Sequence, residues 1–429
     1  MDNGKIRLAD FSLGELNEWL ARNQICEADG IAGQRSFRGT QIFKWIGRGA
    51  LGFDEMTNLP LGFRASLSER AVTGIPEPIG TARSIRDETV KYVMKTYDGN
   101  IVESVLMRYR HGFTACVSSQ AGCRMGCAFC ANKPKSFERN LSPGEMYGQV
   151  ASIARNVWQQ EHTPQTGNVW QQEHTPQTGN AGHKDRAPRI GNTGLQERTP
   201  QTGNTGFQER TPQTGNAGLQ ERTPQTGNAG HKDRAPRIGN VVVMGIGEPF
   251  DNYDNTLKFI RLLHDHDEAN IGYRRITIST CGVVPGILRL ADESLPIGLS
   301  VSLHSPYDSV RNRLMPVNRS FSIDKLVEAC KIYTCKTNRR VTFEYALIDG
   351  INDSPSDAAE LLRKVRGMLC HINLIPVNRT EHSNFLPSDK EAIRRFSDIL
   401  AKGGLQATVR RELGADIMAA CGQLRNSKA

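Results

Sequence analysis

Strand-like and helix-like runs alternate along the second half of the chain, and this alternation restricts the fold more than any other feature of the sequence. The strand-like runs are short and rich in β-branched and aromatic residues, namely VVVMGIGEP, RRITIST, GLSVSLH, RRVTFEYALI and HINLIPV. The runs between them that have helical spacing include SIDKLVEACKIYT, SDAAELLRKVRGML and DKEAIRRFSDILAKGG. This alternation predicts an α/β fold with a parallel sheet, open or closed, and helices outside it.

The first part of the chain follows a different pattern. Residues 1–75 contain the helical runs LGELNEWLARN, QIFKWIGRG and LPLGFRASLSERAV, which predict a small N-terminal helical domain. From about residue 80 the pattern changes to short alternating strands, TVKYVMKTYDGN and IVESVLMRYR, with Asp98-Gly99 as the hairpin turn between them. We therefore expect a second, catalytic domain over residues 80–429.

A tandem array interrupts the catalytic domain. Residues 157–240 are seven copies of a twelve-residue unit such as AGLQERTPQTGN. Each copy has too few apolar residues to offset the entropy lost on ordering, which favours a solvated, largely disordered loop over a short stacked solenoid. Because a helical run precedes the array and a buried strand follows it, the array is interpreted as a low-complexity repeat insertion within a βαβ step.

Composition excludes little. No run approaches the roughly twenty apolar residues of a membrane span, and the first residues lack the apolar stretch of a secretory signal, so we expect a cytoplasmic protein with no membrane partner. The net charge of +9 suits a polyanionic partner but is weak evidence for one. Candidates for phosphate contact, with a solvated charged face as the alternative, are Arg108, Arg110, His111, Arg311 and Arg313.

Three cysteines lie within eight residues, as Cys123-x3-Cys127-x2-Cys130. A zinc site needs a fourth Cys or His at comparable spacing, and none is evident, whereas three thiolates suit a [4Fe-4S] cluster with one iron open. An open iron can chelate the amino and carboxylate groups of S-adenosylmethionine (SAM). The alternatives are three unrelated buried cysteines or an incomplete zinc knuckle. With Phe129 before its last cysteine, the pattern resembles that of the radical SAM superfamily.

The resemblance extends over nearly the whole chain outside the array. TACVSSQAGCRMGCAFC, MGIGEP, STCGVVP, SLHSPYDSVRNRLMPVN, EYALIDGIND and DIMAACGQL resemble, in matching order, the RlmN group of dual-specificity RNA methyltransferases. The resemblance implies a partial parallel (β/α) radical SAM barrel with a [4Fe-4S] cluster and SAM. It also implies methylation of adenine carbon 2 in 23S rRNA and in certain tRNAs. We expect a monomer that takes electrons from a donor such as flavodoxin.

The same resemblance implies roles for three residues. Cys421 matches the cysteine that is methylated and then forms a covalent adduct with RNA. Cys116 matches the cysteine that resolves this adduct through a transient disulfide, and Glu103 matches the proton acceptor. Without the resemblance, each cysteine would be interpreted as a small buried hydrophobe and Glu103 as an exposed strand residue.

The remaining matched positions are those that contact SAM in the family. They are Gly247, Glu248, Ser279, Ser302, Leu303, His304 and Asn378. Cys281 departs from the serine expected in its turn, and Val377-Asn378-Arg379 replaces a Trp-Asn-Pro sequence. Without the resemblance, His304 is interpreted as a satisfied core histidine and Asn378 as a turn residue. For Cys281, Cys330, Cys335 and Cys370 we predict buried packing.

Three other functions remain open from the sequence. A Cfr-like methyltransferase would share the chemistry but modify adenine carbon 8. An RNA-binding or electron-transfer iron-sulfur protein would need no catalysis, yet neither cluster nor RNA binding requires Cys116 and Cys421. Lastly, the enlarged array could inactivate the enzyme or supply a contact of its own.

Overall fold

The N-terminal region is helical, as the sequence predicts. The computed structural model describes residues 4–23, 25, 35–110, 112–132, 137–162, 238–266, 269–378, 380, 383–411, 413–420 and 422–424. The first three helices are α1 (Leu13–Arg22), α2 (Arg35–Gly47) and α3 (Leu61–Arg70). Ser12 and Glu15 form a capping box that satisfies backbone N–H groups at the start of α1. Two short strands, β1 (Ile6–Arg7) and β2 (Ala71–Val72), pair in parallel beside these helices.

A ten-stranded sheet forms the centre of the fold. In sheet order its strands are β14, β13, β12, β11, β10, β9, β6, β5, β4 and β3. The antiparallel edge consists of β3 (Glu77–Arg83), β4 (Val90–Lys95), β5 (Ile101–Tyr109) and β6 (Gly112–Cys116). The parallel part continues from β6 through β9 (Ile238–Val243), β10 (Ile276–Thr280), β11 (Gly298–Ser302), β12 (Val341–Leu347), β13 (Cys370–Pro376) and β14 (Ala407–Val409).

Helices connect the parallel strands, as expected for βαβ steps. They are α4 (Pro143–His162), α5 (Tyr253–Asp265), α6 (Val284–Asp292), α7 (Asp308–Leu314), α8 (Ile323–Thr337), α9 (Pro355–Lys364) and α10 (Lys390–Lys402). A separate strand pair, β7 (Gln120–Ala121) with β8 (Arg139–Asn140), closes a loop after β6. The prediction of an α/β fold with a mostly parallel sheet and an N-terminal helical region is therefore confirmed.

Both ends of the repeat array belong to regular elements, which corrects the prediction of a loop over all of residues 157–240. The first copy continues α4 as far as His162, and its Val157 is 7% exposed in the core. The last copy supplies Ile238, the first residue of β9, which is also buried. Burying one apolar residue at each end extends the helix and the strand into the array. Residues 163–237 lie outside the described residues.

One hydrophobic core joins the N-terminal helices to the sheet. Leu16 and Ile42 of the N-terminal region belong to the same buried cluster as Val241, Leu299 and Phe343 of the parallel strands. Contacts unite residues 1–163 and 234–429 into one unit, and the division at residues 75–80 stays a prediction. Among the described residues, no helix is long and apolar enough to cross a membrane.

Candidate active site at the mouth of the parallel sheet

The C-terminal ends of the parallel strands surround an open cavity of about 1060 Å³. Ligands bind at this edge in α/β sheets and barrels, because loops that follow parallel strands converge there. Residues on or just after β9, β10, β11, β12 and β13 contribute to the wall. The cluster loop, which we define as residues 122–132 and 137–138 between β7 and β8, forms the opposite side.

The three predicted cluster ligands lie together on this loop. Cys123, Cys127 and Cys130 all line the cavity. Burial raises the pKa of Cys123 to about 11 and that of Cys127 further, and the neighbouring thiols add to both shifts. Among the described residues, no three His, Cys, Asp or Glu side chains are already grouped at metal-binding spacing. The cysteines therefore share one cavity wall without forming a closed coordination group.

Glycines after β9 let the chain pass close to the segment that follows β6. A Cβ atom on Gly245 would lie 2.7 Å from the Ser118 backbone nitrogen, closer than Cβ atoms approach other heavy atoms in proteins. Gly247 has φ +111°, and a Cβ atom there would lie 2.7 Å from the Ser119 hydroxyl oxygen. Both positions therefore require glycine. The predicted turn at Gly247-Glu248 lies on the cavity wall.

Glu248 is the buried carboxyl group of this turn. Its Oε1 accepts a 3.0 Å hydrogen bond from the Phe250 N–H, and its Oε2 accepts one of 2.7 Å from the Cys281 N–H. Burial raises the pKa of Glu248, while both hydrogen bonds act in the opposite direction. Gln120 Oε1 accepts from the Glu248 N–H at 2.9 Å and fixes the turn. A carboxylate oriented in this way can accept hydrogen bonds from an ammonium group in the cavity.

The other predicted SAM contacts divide into four cavity residues and one core residue. Ser279, Ser302, His304 and Asn378 line the cavity. His304 Nδ1 accepts a 2.8 Å hydrogen bond from the Ala346 N–H, and burial lowers the pKa of His304 to about 3, so the neutral imidazole carries its proton on Nε2. The Leu303 side chain, just after β11, is not part of this wall and packs in the hydrophobic core instead.

Arg311 is a structural residue, so its interpretation as a phosphate contact is wrong. Its side chain is 0% exposed. Nη2 donates to the Cys281 and Ser302 carbonyl oxygens at 2.7 and 3.0 Å, and Nε donates to the Leu303 carbonyl oxygen at 3.0 Å. Asn318 Oδ1 accepts from Nη1 at 2.8 Å. Arg311 thus fixes the backbone where β10 and β11 reach the cavity.

A second cavity, of about 750 Å³, adjoins the first and contains the predicted resolving cysteine. Cys116 lines it at the end of β6, and the two cavities share several residues, including Cys130 and Met244. Cys421 lies outside the described residues, but Ala420 and Gly422, its neighbours in sequence, both line this second cavity.

Glu103 is buried rather than exposed on its strand. It is 6% exposed, and its Oε1 lies 3.2 Å from Lys91 Nζ. Glu103, Val105 and Met107 are every second residue of β5, and Val105 and Met107 line the second cavity. Alternate residues of a strand point to the same face, so Glu103 lies on the cavity-facing side of β5 without being part of the wall.

Sequence reasoning missed several wall residues and misplaced one cysteine. Glu344 lines the first cavity and accepts hydrogen bonds from Ser300 at 2.7 Å and Asn373 at 2.8 Å. Arg410 lines both cavities. The glutamate could have been found from EYALI, because a charged residue within an apolar strand indicates an inward polar site. Cys281, Cys330 and Cys370 are buried as predicted, whereas Cys335 is exposed.

The other phosphate candidates lie on the surface. Arg108 is exposed and pairs with Glu88 at 3.1 Å, and Arg110 and Arg313 are also exposed. His111 lies outside the described residues. Since exposed cations can contact either RNA or water, the phosphate interpretation of these arginines stays a prediction.

Two family models match the chain. The radical SAM superfamily model matches residues 222–362, which include β9–β12 and most of α9. The model described as the ribosomal RNA large subunit methyltransferase N-terminal domain matches residues 6–73, which include the three N-terminal helices.

The radical SAM assignment implies a [4Fe-4S] cluster and SAM as cofactors. The residues present fit both groups. Cys123, Cys127 and Cys130 supply three thiols from one loop, and three thiolates leave one iron of a cubane free for a further ligand. Glu248, with Ser279 nearby in the wall, supplies oxygen acceptors to the same cavity.

Curated and solved relatives match nearly the whole chain. Two proteins described as "Probable dual-specificity RNA methyltransferase RlmN", from Clostridium tetani and Desulforamulus reducens, are each 39% identical to it. The matches cover 98% and 99% of this chain and 96% and 97% of those proteins. The crystal structure of a radical SAM methyltransferase from Sphaerobacter thermophilus is 38% identical, with a TM-score of 0.75 over 98% of this chain and 99% of that one. The chain therefore belongs to the RlmN family of dual-specificity RNA methyltransferases, in the radical SAM superfamily.

Proposed function

We propose that this SAM-dependent methyltransferase acts on carbon 2 of an adenine in 23S rRNA and in certain tRNAs. Cys421 accepts a methyl group and transfers its carbon to the base through a covalent RNA adduct, and Cys116 resolves that adduct. The C. tetani and D. reducens relatives carry a dual-specificity RNA methyltransferase name, which supports an RNA substrate. Since a methyltransferase is catalytic, this assignment replaces the non-catalytic iron-sulfur alternative.

An amidine carbon such as adenine C2 is not nucleophilic, so simple displacement cannot pass a SAM methyl group to it and a radical route is required. This route needs two thiols, one to carry the methylene carbon and one to help expel the enzyme sulfur. When bound, the cluster and SAM supply the one-electron chemistry that generates a 5'-deoxyadenosyl radical. Cys421 presents its S-methyl group for loss of a hydrogen atom, and its sulfur carries the carbon that bonds to the ring. The adduct would return one electron to the oxidised cluster and lose the ring proton to Glu103. Cys116 then attacks the Cys421 sulfur, the bond between that sulfur and the transferred carbon breaks, and the carbon takes up a proton to become the methyl group. Reduction of the Cys116–Cys421 disulfide by an external thiol would restore both cysteines.

The observation that carries this proposal is the wall shared around the second cavity. Cys116, Cys130 and the residues on both sides of Cys421 all line it. A cluster ligand, the resolving thiol and the flanks of the methyl carrier thus meet beside the first cavity. The apolar Val105, in the same wall, suits contact with a purine ring.

Glu103 supports proton removal from the ring carbon. Its carboxylate lies on the cavity-facing side of β5, and Lys91 is 3.2 Å away. A carboxylate on this face of the strand suits the role of proton acceptor for a base bound in the second cavity.

Anaerobically reconstituted enzyme with unmodified 23S rRNA fragments tests the proposal. Wild type should give 2-methyladenine by mass spectrometry of the product nucleosides. Cys421→Ala should abolish turnover, and Cys116→Ala should accumulate a crosslinked RNA. Cys335→Ala is the matched control, because that exposed cysteine is absent from both cavity walls and its loss should change nothing. Formation of 8-methyladenine would establish the Cfr-like alternative, and activity in Cys421→Ala would refute the mechanism.

The role of the array needs a separate measurement. Deletion of residues 166–237 removes the length of six copies and keeps both α4 and β9, so unchanged methylation would support a passive loop. Lower activity would assign the array a contact of its own, while activity gained on deletion would mean that the array inhibits the enzyme. We further propose that the protein is a cytoplasmic monomer and takes electrons from a flavodoxin-like donor.

A further inference from the structure

We propose that Asn132 and Asp416 are positioning residues, which hold the segment carrying Cys421 against the second cavity through two separate sets of hydrogen bonds. This inference rests on the proposed function, because it concerns how the methyl-carrying thiol reaches the base. The C-terminal segment is defined here as residues 413–420 and 422–424, on either side of Cys421.

The first anchor joins the C-terminal segment to the cluster loop. The Ala131 N–H donates to the Gly422 carbonyl oxygen at 2.7 Å, and Asn132 Nδ2 donates to the Leu424 carbonyl oxygen. Both donors directly follow Cys130, the last predicted cluster ligand. Asn132 is 6% exposed, so water cannot easily replace its side chain as the donor to the Leu424 carbonyl oxygen.

The second anchor joins the segment to the turn between β3 and β4, residues 84–89. Asp416 accepts from the Ser84 hydroxyl at 2.8 Å and from the Ile85 N–H at 2.9 Å. Asp87 of the same turn accepts from the Gly414 N–H at 3.0 Å. The antiparallel edge of the sheet thus holds the start of the segment, while the cluster loop holds its end.

Contacts between the anchors join the residues on either side of Cys421. The Gln423 N–H donates to the Ala420 carbonyl oxygen at 3.0 Å, and the Ala420 N–H donates to Gln423 Oε1 at 3.2 Å. Gly422 has φ +81°, a backbone conformation that residues with a side chain rarely adopt. Leu424 packs in a buried cluster with Cys116, the resolving thiol. The C-terminal segment therefore contacts both the cluster loop and the resolving thiol, and these contacts hold it in position.

The two anchors should couple SAM cleavage to methyl transfer. Cleavage of SAM needs only the first cavity, whereas carbon transfer also needs Cys421 in place. Asp416 lies outside both cavity walls, so loss of its anchor should leave SAM cleavage running while methyl transfer falls, since misplacement of a reacting group by about 1 Å costs on the order of a hundredfold in rate. Asn132 also lines the first cavity, so its loss is measured by the ratio of the two activities. A purely structural role would lower both activities together.

The test compares Asn132→Asp, Asp416→Asn and the control Asp398→Asn in full-length reconstituted enzyme. Asn132→Asp keeps the side-chain shape but removes the Nδ2 donor, and Asp416→Asn removes an acceptor at an exposed position that should not disturb folding. Asp398 is exposed on α10. We expect the ratio of 5'-deoxyadenosine to methylated RNA to rise about tenfold or more in both anchor variants, and hydrogen exchange of the C-terminal peptide to accelerate.

The outcomes separate this inference from the proposed function. Wild-type enzyme that makes no methylated RNA, or a Cys421→Ala variant that does, would refute the proposed function. If wild type is active and Cys421→Ala is inactive, but both anchor variants keep the wild-type product ratio and exchange rate, the positioning inference is wrong. An Asp398→Asn variant that behaves like the anchor variants would also contradict it.

Discussion

Lowering the pH should destabilise the protein through His266, a buried histidine that packs among three helices. It follows α5 and is 1% exposed, with Phe43 of α2 stacked at 3.5 Å and Tyr147 of α4 at 4.4 Å between ring centroids. Within the described part of the chain, neither of its ring nitrogens has a hydrogen-bond partner. Burial lowers the pKa of His266 from 6.5 to about 3, so the folded chain keeps the ring neutral.

The sign and size of this change in stability follow from proton binding to His266. Between about pH 6.5 and about pH 3 the unfolded chain binds a proton at His266 that the folded chain does not, so stability falls as the pH falls. Each pH unit in this window costs about 1.4 kcal/mol, which amounts to about 2 kcal/mol between pH 7 and pH 5. His266→Phe keeps an aromatic ring between Phe43 and Tyr147 but cannot titrate.

Urea unfolding of cluster-free protein at both pH values, with wild type and His266→Phe in parallel, measures the difference. Working without the cluster avoids coupling between metal loss and unfolding. The variant should lose about 2 kcal/mol less than wild type on acidification. Parallel losses in the two proteins would mean that His266 does not hold the lowered pKa, and the burial argument would fail.

Three further variants address the candidate site. Arg311→Met leaves the Cys281 and Ser302 carbonyl oxygens without their buried donor, so the free energy of unfolding in urea should fall by about 3 kcal/mol; an unchanged value would contradict the bracing role. Glu248→Gln should raise the Kd for SAM about tenfold in titration calorimetry of reconstituted enzyme, through loss of a charge-assisted contact, and an unaltered Kd would exclude that contact. Cys127→Ala should lower iron bound per chain after reconstitution, whereas Cys335→Ala should bind as much iron as wild type.

The sequence was sufficient to predict those parts of the fold that depend on local pattern. Alternating runs predicted β9–β13 with the helices α8, α9 and α10, because burial on both faces of a parallel sheet requires continuous apolar strands. Asp98-Gly99 predicted the turn between β4 and β5, where Gly99 has φ +87°. The spacing of Cys123, Cys127 and Cys130 predicted residues that do line one cavity.

Other features depend on long-range contacts that pattern alone does not contain. In the sequence, Arg311 cannot be told apart from a surface arginine. Its structural role becomes visible only when the fold brings the Cys281 and Ser302 carbonyl oxygens to its guanidinium group. Val157 belongs to a polar repeat unit, yet α4 carries it into the core. The anchors on Asn132 and Asp416 join positions almost 300 and over 330 residues apart in sequence, which no local window can reveal.

The points at which the array leaves and rejoins the described fold have an evolutionary consequence. The chain leaves the described fold after α4 and returns at the start of β9. The start of a parallel strand lies at the opposite end from the C-terminal strand ends that form the candidate site. Each unit spans twelve codons, so slippage during DNA replication gains or loses whole units without shifting the reading frame. We therefore expect the number of units to differ among close relatives whose catalytic edge is unchanged, and sequencing this gene in sibling isolates would reveal it.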